Sequence, residues 1–260
     1  MVLDYVNGRN GAMRKIAVCL SKGGVGKTTT AINLAHGLAV AGSNVLIVDT
    51  DTQGHVATSL GIEPEIGLAE LLTQRATPEE ALILARDRLW LLAGGRALAG
   101  AKREIDRKNF GGEQTLAESL EPLEGKFDFV ILDTAPSLDI LSVNVLFYAK
   151  EILTPVSPEV LTLQGVLDFQ HNLAGVQKYH KDLHLKYVLP TFYDMRVRKS
   201  KEILEQLKVH YESLLCEPIR YSVKLSEAPG FGQTIYEYDP NSPGAEGYKI
   251  LTQRIMNDGN

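Results

Sequence analysis

Two lysines bracket a glycine-rich turn in Ser21-Lys22-Gly23-Gly24-Val25-Gly26-Lys27-Thr28-Thr29. Glycines allow backbone N–H groups to turn inward around a phosphate, where a Cβ would block the turn. A helix starting straight after the turn presents the positive end of its dipole to the anion. Lys27 is then placed to reach the β- and γ-phosphates and Thr28 to hold Mg²⁺, so ATP with Mg²⁺ is the implied ligand chemistry. Lys22 is surplus to that task, and Ser21 stands where the motif wants its first glycine.

Three carboxylates stand at the ends of apolar runs. Asn44–Asp49 (NVLIVD) leads into Thr50-Asp51, and Phe127–Asp133 (FDFVILD) leads into Thr134-Ala135-Pro136-Ser137. At the C-terminal ends of parallel strands such side chains point into the crevice where α/β ligands bind. Asp133 is the natural carboxylate behind the Mg²⁺. Asp49 and Asp51 face the same side if the chain is still extended there. One then holds the metal's waters while the other orients an attacking water.

The elements that must position these residues are readable in outline. Lys15–Leu20 predicts the first strand, and Lys27–Ala41 a helix that Gly42 stops. Further strands are predicted at Asn44–Asp49, Leu89–Ala93, Phe127–Asp133, Glu151–Val156 and Lys186–Thr191, with helical segments between. Such alternation means right-handed βαβ units. The expected fold is a single α/β P-loop domain, residues 14–260, with a mostly parallel twisted sheet and helices on both faces. Residues 1–13 read as a flexible extension. The stretch 94–112 is the least regular and suggests a loop-and-helix excursion.

Composition narrows the function classes. The chain has 260 residues and a net charge of −5, so any nucleic-acid binding must come from a local patch. Its two cysteines and six histidines show no metal-ligand spacing. No apolar run approaches the ~18 residues of a membrane span, and the N-terminus has no signal-peptide pattern. A cytoplasmic protein is expected. Arg196-Val197-Arg198-Lys199-Ser200-Lys201 is a cationic run opening a predicted helix, Lys199–Leu215. Without a base-reading motif, it predicts phosphate contacts free of sequence readout.

Lys22–Thr28, Asp49-Thr50-Asp51-Thr52-Gln53-Gly54 and Asp133-Thr134-Ala135-Pro136-Ser137 closely resemble the deviant-Walker ATPases of the ParA/Soj partition family. The likeness continues through Phe192-Tyr193-Asp194-Met195-Arg196, Val223-Lys224-Leu225-Ser226-Glu227-Ala228-Pro229, Tyr238-Asp239-Pro240 and Gly244-Ala245-Glu246. It covers about residues 14–257.

The resemblance implies a role for each matching position. Lys22 is the signature lysine that crosses a dimer interface to the partner's ATP, and Gly23 lets the two loops approach. The ATP-binding set is Lys22, Gly23, Gly24, Val25, Gly26, Lys27, Thr28 and Thr29. Lys22, Lys27 and Asp51 are the catalytic set, with Asp51 positioning the hydrolytic water. Thr28, Asp49 and Asp133 serve Mg²⁺. Arg196 and Lys224 join Arg198, Lys199 and Lys201 as the DNA-binding set. The implied protein is a slow ATPase that dimerises on ATP and binds double-stranded DNA without sequence preference. It associates with the nucleoid in that state, is stimulated by a ParB-like or other adaptor, and partitions or positions a large cargo.

Thr52 and His55 depart from the family's usual Pro and Asn, which predicts altered geometry around Asp51 and slow intrinsic turnover. Arg220-Tyr221-Ser222 departs from the Pro-Arg-Asn that frames the adenine. Two other classes stand beside this one. A membrane-surface positioning ATPase like MinD needs a C-terminal basic amphipathic helix, whereas residues 247–260 read as a packed helix. A metabolic P-loop enzyme of the reductase kind needs paired cluster-ligating cysteines, which Cys19 and Cys216 do not supply. For a synthetase the sequence is silent.

Overall fold

The computed structural model describes residues 12–258, with the backbone alone for residues 160–163. The expected N-terminal extension therefore lies outside the described residues except for Ala12 and Met13. Seven strands form one sheet: β1 Arg14–Val18, β2 Val45–Asp49, β3 Leu82–Arg86, β4 Leu89–Leu92, β5 Phe129–Asp133, β6 Glu151–Val156 and β7 His184–Pro190. Their order is β3-β4-β2-β5-β1-β6-β7, and only the β3–β4 pair is antiparallel. The mostly parallel α/β architecture expected from the alternation is thus present.

β2 and β5 are buried along their whole length, as strands covered on both faces must be. Alternate residues feed two cores. Ala17, Leu46, Val48, Val130 and Leu132 pack on one face with Leu98, Ile105, Leu141 and Val145. Ile16, Val18, Val45, Ile47 and Ile131 pack on the other with Leu34, Leu38, Tyr248 and Leu251. Leu34 and Leu38 belong to the helix Lys27–Val40 and Tyr248 and Leu251 to the helix Pro243–Asn257, and the two helices pack on one another and on the sheet. The C-terminal segment is thus a packed helix, capped by the Ser242 side chain, which accepts from the Ala245 N–H at 3.2 Å.

One expectation is corrected: the predicted helix Lys199–Leu215 runs instead over Arg198–Tyr211. The sheet also has a strand beyond those predicted, the edge strand β3, with Leu84 57 % exposed, and Arg88, at φ 58°, turns the chain back into β4. The stretch 94–112 holds a loop and a helix as expected, the helix Leu98–Asp106 being anchored by Leu98, Ala101 and Ile105.

Parallel register brings the chemistry together. Val18 and Asp49 both pair with Asp133, so β1, β2 and β5 end side by side. Two threonines lock these ends. The Thr50 N–H and hydroxyl donate to the Asp133 carbonyl at 3.0 and 2.8 Å. The Thr134 hydroxyl donates to the Val18 carbonyl at 2.9 Å.

Candidate functional site

A cleft of about 580 Å³ opens at this end of the sheet. The loop between β1 and the helix Lys27–Val40 forms one wall, through Gly23, Gly24, Gly26, Lys27, Thr28 and Thr29. Gly24 and Gly26 adopt φ of 72° and 87°, left-handed values that side chains with a Cβ rarely take, so the turn depends on glycine there. Val25 is buried, and its carbonyl accepts from the Thr191 hydroxyl at 2.9 Å.

Lys27 is 7 % exposed, and its ammonium donates to the Lys22 carbonyl at 2.6 Å. Burial lowers its pKa against the pull of Asp133, Cys19 and Asp51. Lys22 behaves differently. Its side chain does not line the cleft, and its Nζ lies 2.8 Å from Glu159 Oε2. The two lysines of one loop therefore face different partners.

The carboxylates also part company. Asp51 lines the cleft with Thr52, Gln53 and His55, and it accepts from the Gln53 N–H at 3.0 Å. Asp49 is fully buried beneath that loop. Its oxygens accept from the Asp51 N–H at 2.9 Å and the Val56 N–H at 3.2 Å. Burial pushes its carboxyl up to about 7, against those two donors. Asp49 and Asp51 thus differ in exposure: Asp49 is buried at the end of β2, while Asp51 lines the cleft.

Asp133 is 1 % exposed, and neither carboxylate oxygen has a hydrogen-bond donor. Burial and then Asp49 push its pKa well up, while Thr28 and Lys27 pull it down. Two orphaned buried oxygens beside a threonine hydroxyl fit a cation. Among the described residues no cluster of three or more His, Cys, Asp or Glu side chains could hold a metal ion.

The cleft holds further residues to which the sequence assigned no role. Phe192, in left-handed conformation at φ 52°, lines it close to Gly26. Lys102, from the helix Leu98–Asp106, lines it beside Ser137. An adjoining cavity of about 280 Å³ shares Thr28, Thr29 and His55, and brings Leu225, Ala228 and Pro229 to the same site.

The basic segment is exposed but largely paired. Arg196 bonds Asp194 through two nitrogens at 3.0 and 2.8 Å, and Arg198 bonds Glu202 at 2.7 Å. Lys224 bonds Glu227 at 3.0 Å. A backbone bridge between Tyr193 and Arg220 ties the start of this segment to the stretch that leads to Lys224.

A family model described as AAA domain matches residues 13–186. The chromosome-partitioning ATPase Soj of Thermus thermophilus is 39 % identical over 246 residues, covering 94 % of this chain and 96 % of that one. The chain belongs to the ParA/Soj family of partition ATPases. A second member, the sporulation initiation inhibitor protein Soj of Bacillus subtilis, is 34 % identical, covering 94 % of this chain and 98 % of that one. A solved Mycobacterium smegmatis structure, described as cobyrinic acid a,c-diamide synthase with bound ATP analogue and magnesium, is 32 % identical with a TM-score of 0.81. It covers 94 % of this chain and 94 % of that one. In this family frame, no helix among the described residues is long and apolar enough to cross a membrane.

Proposed function

We propose that this chain is a DNA-associated partition or positioning ATPase that dimerises on ATP. The observation that carries the reading is the division of labour between the two loop lysines. Lys27 is buried in the cleft, while Lys22 leaves it and holds a replaceable carboxylate on the surface. On this reading the Lys22 ammonium exchanges the Glu159 carboxylate for the phosphates of a second copy's nucleotide.

Residue by residue, Gly23, Gly24, Val25, Gly26 and Thr29 wrap the phosphates, and Lys27 exchanges the Lys22 carbonyl for phosphate oxygens. Thr28 and Asp133 hold Mg²⁺, which supplies charge neutralisation of the β- and γ-phosphates when bound. Asp49 shapes the loop that presents Asp51, and Asp51 orients the attacking water. Lys22 of the second copy adds positive charge where it develops on the transferring group. Dimer formation and catalysis are then one event.

Arg196, Arg198, Lys199, Lys201 and Lys224 form the DNA surface. Exposed ion pairs contribute about 0–1 kcal/mol each, so DNA phosphates can displace Asp194, Glu202 and Glu227. A ParB-like or other adaptor stimulates hydrolysis and ends the DNA-bound state. The domain on this reading spans residues 14–260.

DNA retardation with ADP, ATP and a non-hydrolysable analogue, on two unrelated sequences, tests the reading. Retardation of both DNAs with ATP or the analogue alone is expected. Absence of retardation, or preference for one sequence, overturns it. The likeness to a protein described as a cobyrinic acid a,c-diamide synthase favours a second reading, a synthase that uses ATP. The MinD-like alternative predicts ATP-dependent pelleting with liposomes.

A further inference from the structure

The stretch 94–112 carries no recognisable motif, yet it touches both loops that flank the cleft. At its start Gly94 presses on the Asp49–Asp51 loop. A Cβ there would fall 2.6 Å from the Asp51 carbonyl oxygen and 2.7 Å from the Asp49 carboxyl carbon. The next residue, Gly95, donates its N–H to the Asp51 carbonyl at 3.0 Å. Further along, Lys102 reaches the other loop: its Nζ lies 2.6 Å from Asp139 Oδ2.

Asp139 divides its two oxygens between two tasks. Oδ1 caps the helix Ile140–Tyr148, accepting the Leu141 and Ser142 N–H groups at 3.0 and 3.1 Å. Oδ2 accepts from Lys102 and, at 3.1 Å, from the Ser137 hydroxyl. The cap is thus complete without Lys102. What Lys102 adds is a tie between the helix Leu98–Asp106 and the segment Thr134–Asp139, which starts beside Asp133 and contributes Ser137 to the cleft wall. The pair is sheltered, with the two side chains 18 % and 27 % exposed. Burial alone would raise the Asp139 carboxyl, yet Lys102 and the Ser142 N–H hold it below its ordinary value.

We propose that Lys102 is a positioning residue for phosphoryl transfer, acting through Asp139 to hold the Thr134–Asp139 loop against the cleft. With Gly94 at its other end, the segment from Gly94 to Asp106 braces the loop that carries Asp51 and the loop that follows Asp133. Binding of the phosphates by the Lys27 loop does not pass through this brace, whereas the geometry of attack does. Displacements of about 1 Å in such supports cost up to about a hundredfold in rate.

The inference rests on the ATPase reading, and its test separates the two. Phosphate release is measured over a range of Mg·ATP for the wild type, Lys102→Ala, Lys102→Arg, Asp139→Asn and the Lys102→Ala/Asp139→Asn double variant. Heat denaturation and fluorescent-nucleotide affinity are followed alongside. Lys102→Ala is expected to lower kcat by about ten- to a hundredfold with KM and nucleotide affinity within about twofold and only a small fall in melting temperature. Lys102→Arg restores the rate, and the double variant is no slower than Lys102→Ala. Unchanged kcat in Lys102→Ala beside an active wild type overturns the inference alone. So does a further loss in the double variant, which means direct contact with the phosphates, or a joint fall in affinity and melting temperature, which means a merely structural role. A wild type that releases no phosphate overturns the ATPase reading and this inference together.

Discussion

The Lys22 ammonium lies 2.8 Å from the Glu159 carboxylate, joining the phosphate loop to the residue that precedes the helix Val160–Gln177. Lys22 in turn holds the Glu159 carboxyl below its ordinary value. For Lys22 to serve a second subunit, this pair must open. Glu159→Gln is therefore expected to dimerise at lower analogue concentration than the wild type. Sedimentation across an analogue titration checks this, and a midpoint unmoved or shifted upward contradicts it.

Asp51 lines the cleft and Asp49 does not. Asp51→Ala should keep ATP affinity but lose turnover by on the order of 10²-fold, the usual scale for a water-orienting or general-base group. The DNA-bound dimer should then persist with ATP as it does with the analogue. Phosphate release in parallel with DNA retardation measures both halves of the prediction.

Asp133 gives a stability prediction with a definite sign. Its folded pKa is raised above the unfolded value, mainly by burial. The unfolded chain therefore loses this proton first, and stability falls as pH rises past the unfolded carboxylate value of about 3.9. In nucleotide- and magnesium-free buffer, Asp133→Asn should melt higher than the wild type, and by more at pH 8 than at pH 5. Each kcal/mol recovered corresponds to about 2–4 °C. The same variant should lose magnesium-dependent nucleotide binding. Calorimetry at the two pH values checks the sign.

Arg196 and Lys224 are exposed and paired with Asp194 and Glu227. Arg196→Glu and Lys224→Glu should lose DNA retardation while keeping ATP affinity. Neutral Arg196→Gln should weaken binding to unrelated sequences equally and flatten the log–log salt slope by about one unit, the signature of one lost phosphate contact.

Much of this was legible in the chain. The glycine-rich loop, the apolar runs of β2 and β5 and the carboxylates ending them carry strong local signals. Edge strand β3 was not legible, because its apolar run follows directly on the short helix Pro78–Ala81, and a short apolar run alone does not separate a strand from a helix. The contrast between buried Asp49 and cleft-lining Asp51 was hidden because it depends on tertiary packing around the end of β2. Lys102 was hidden for a similar reason: its partner Asp139 is 37 residues away and meets it only through the packing of two helices. The acid partners of the basic run were readable in principle, since Glu202 follows Arg198 by four residues and Glu227 follows Lys224 by three.

The central claim is that Lys22 couples nucleotide to dimer formation. Light-scattering mass measurement with Mg²⁺ and a non-hydrolysable ATP analogue tests it most directly. The wild type is predicted to shift from the 28.5 kDa chain mass to twice that value. Lys22→Ala is predicted to stay at the chain mass while still binding the analogue. A wild type that remains monomeric, or a Lys22→Ala variant that dimerises as the wild type does, would contradict the account.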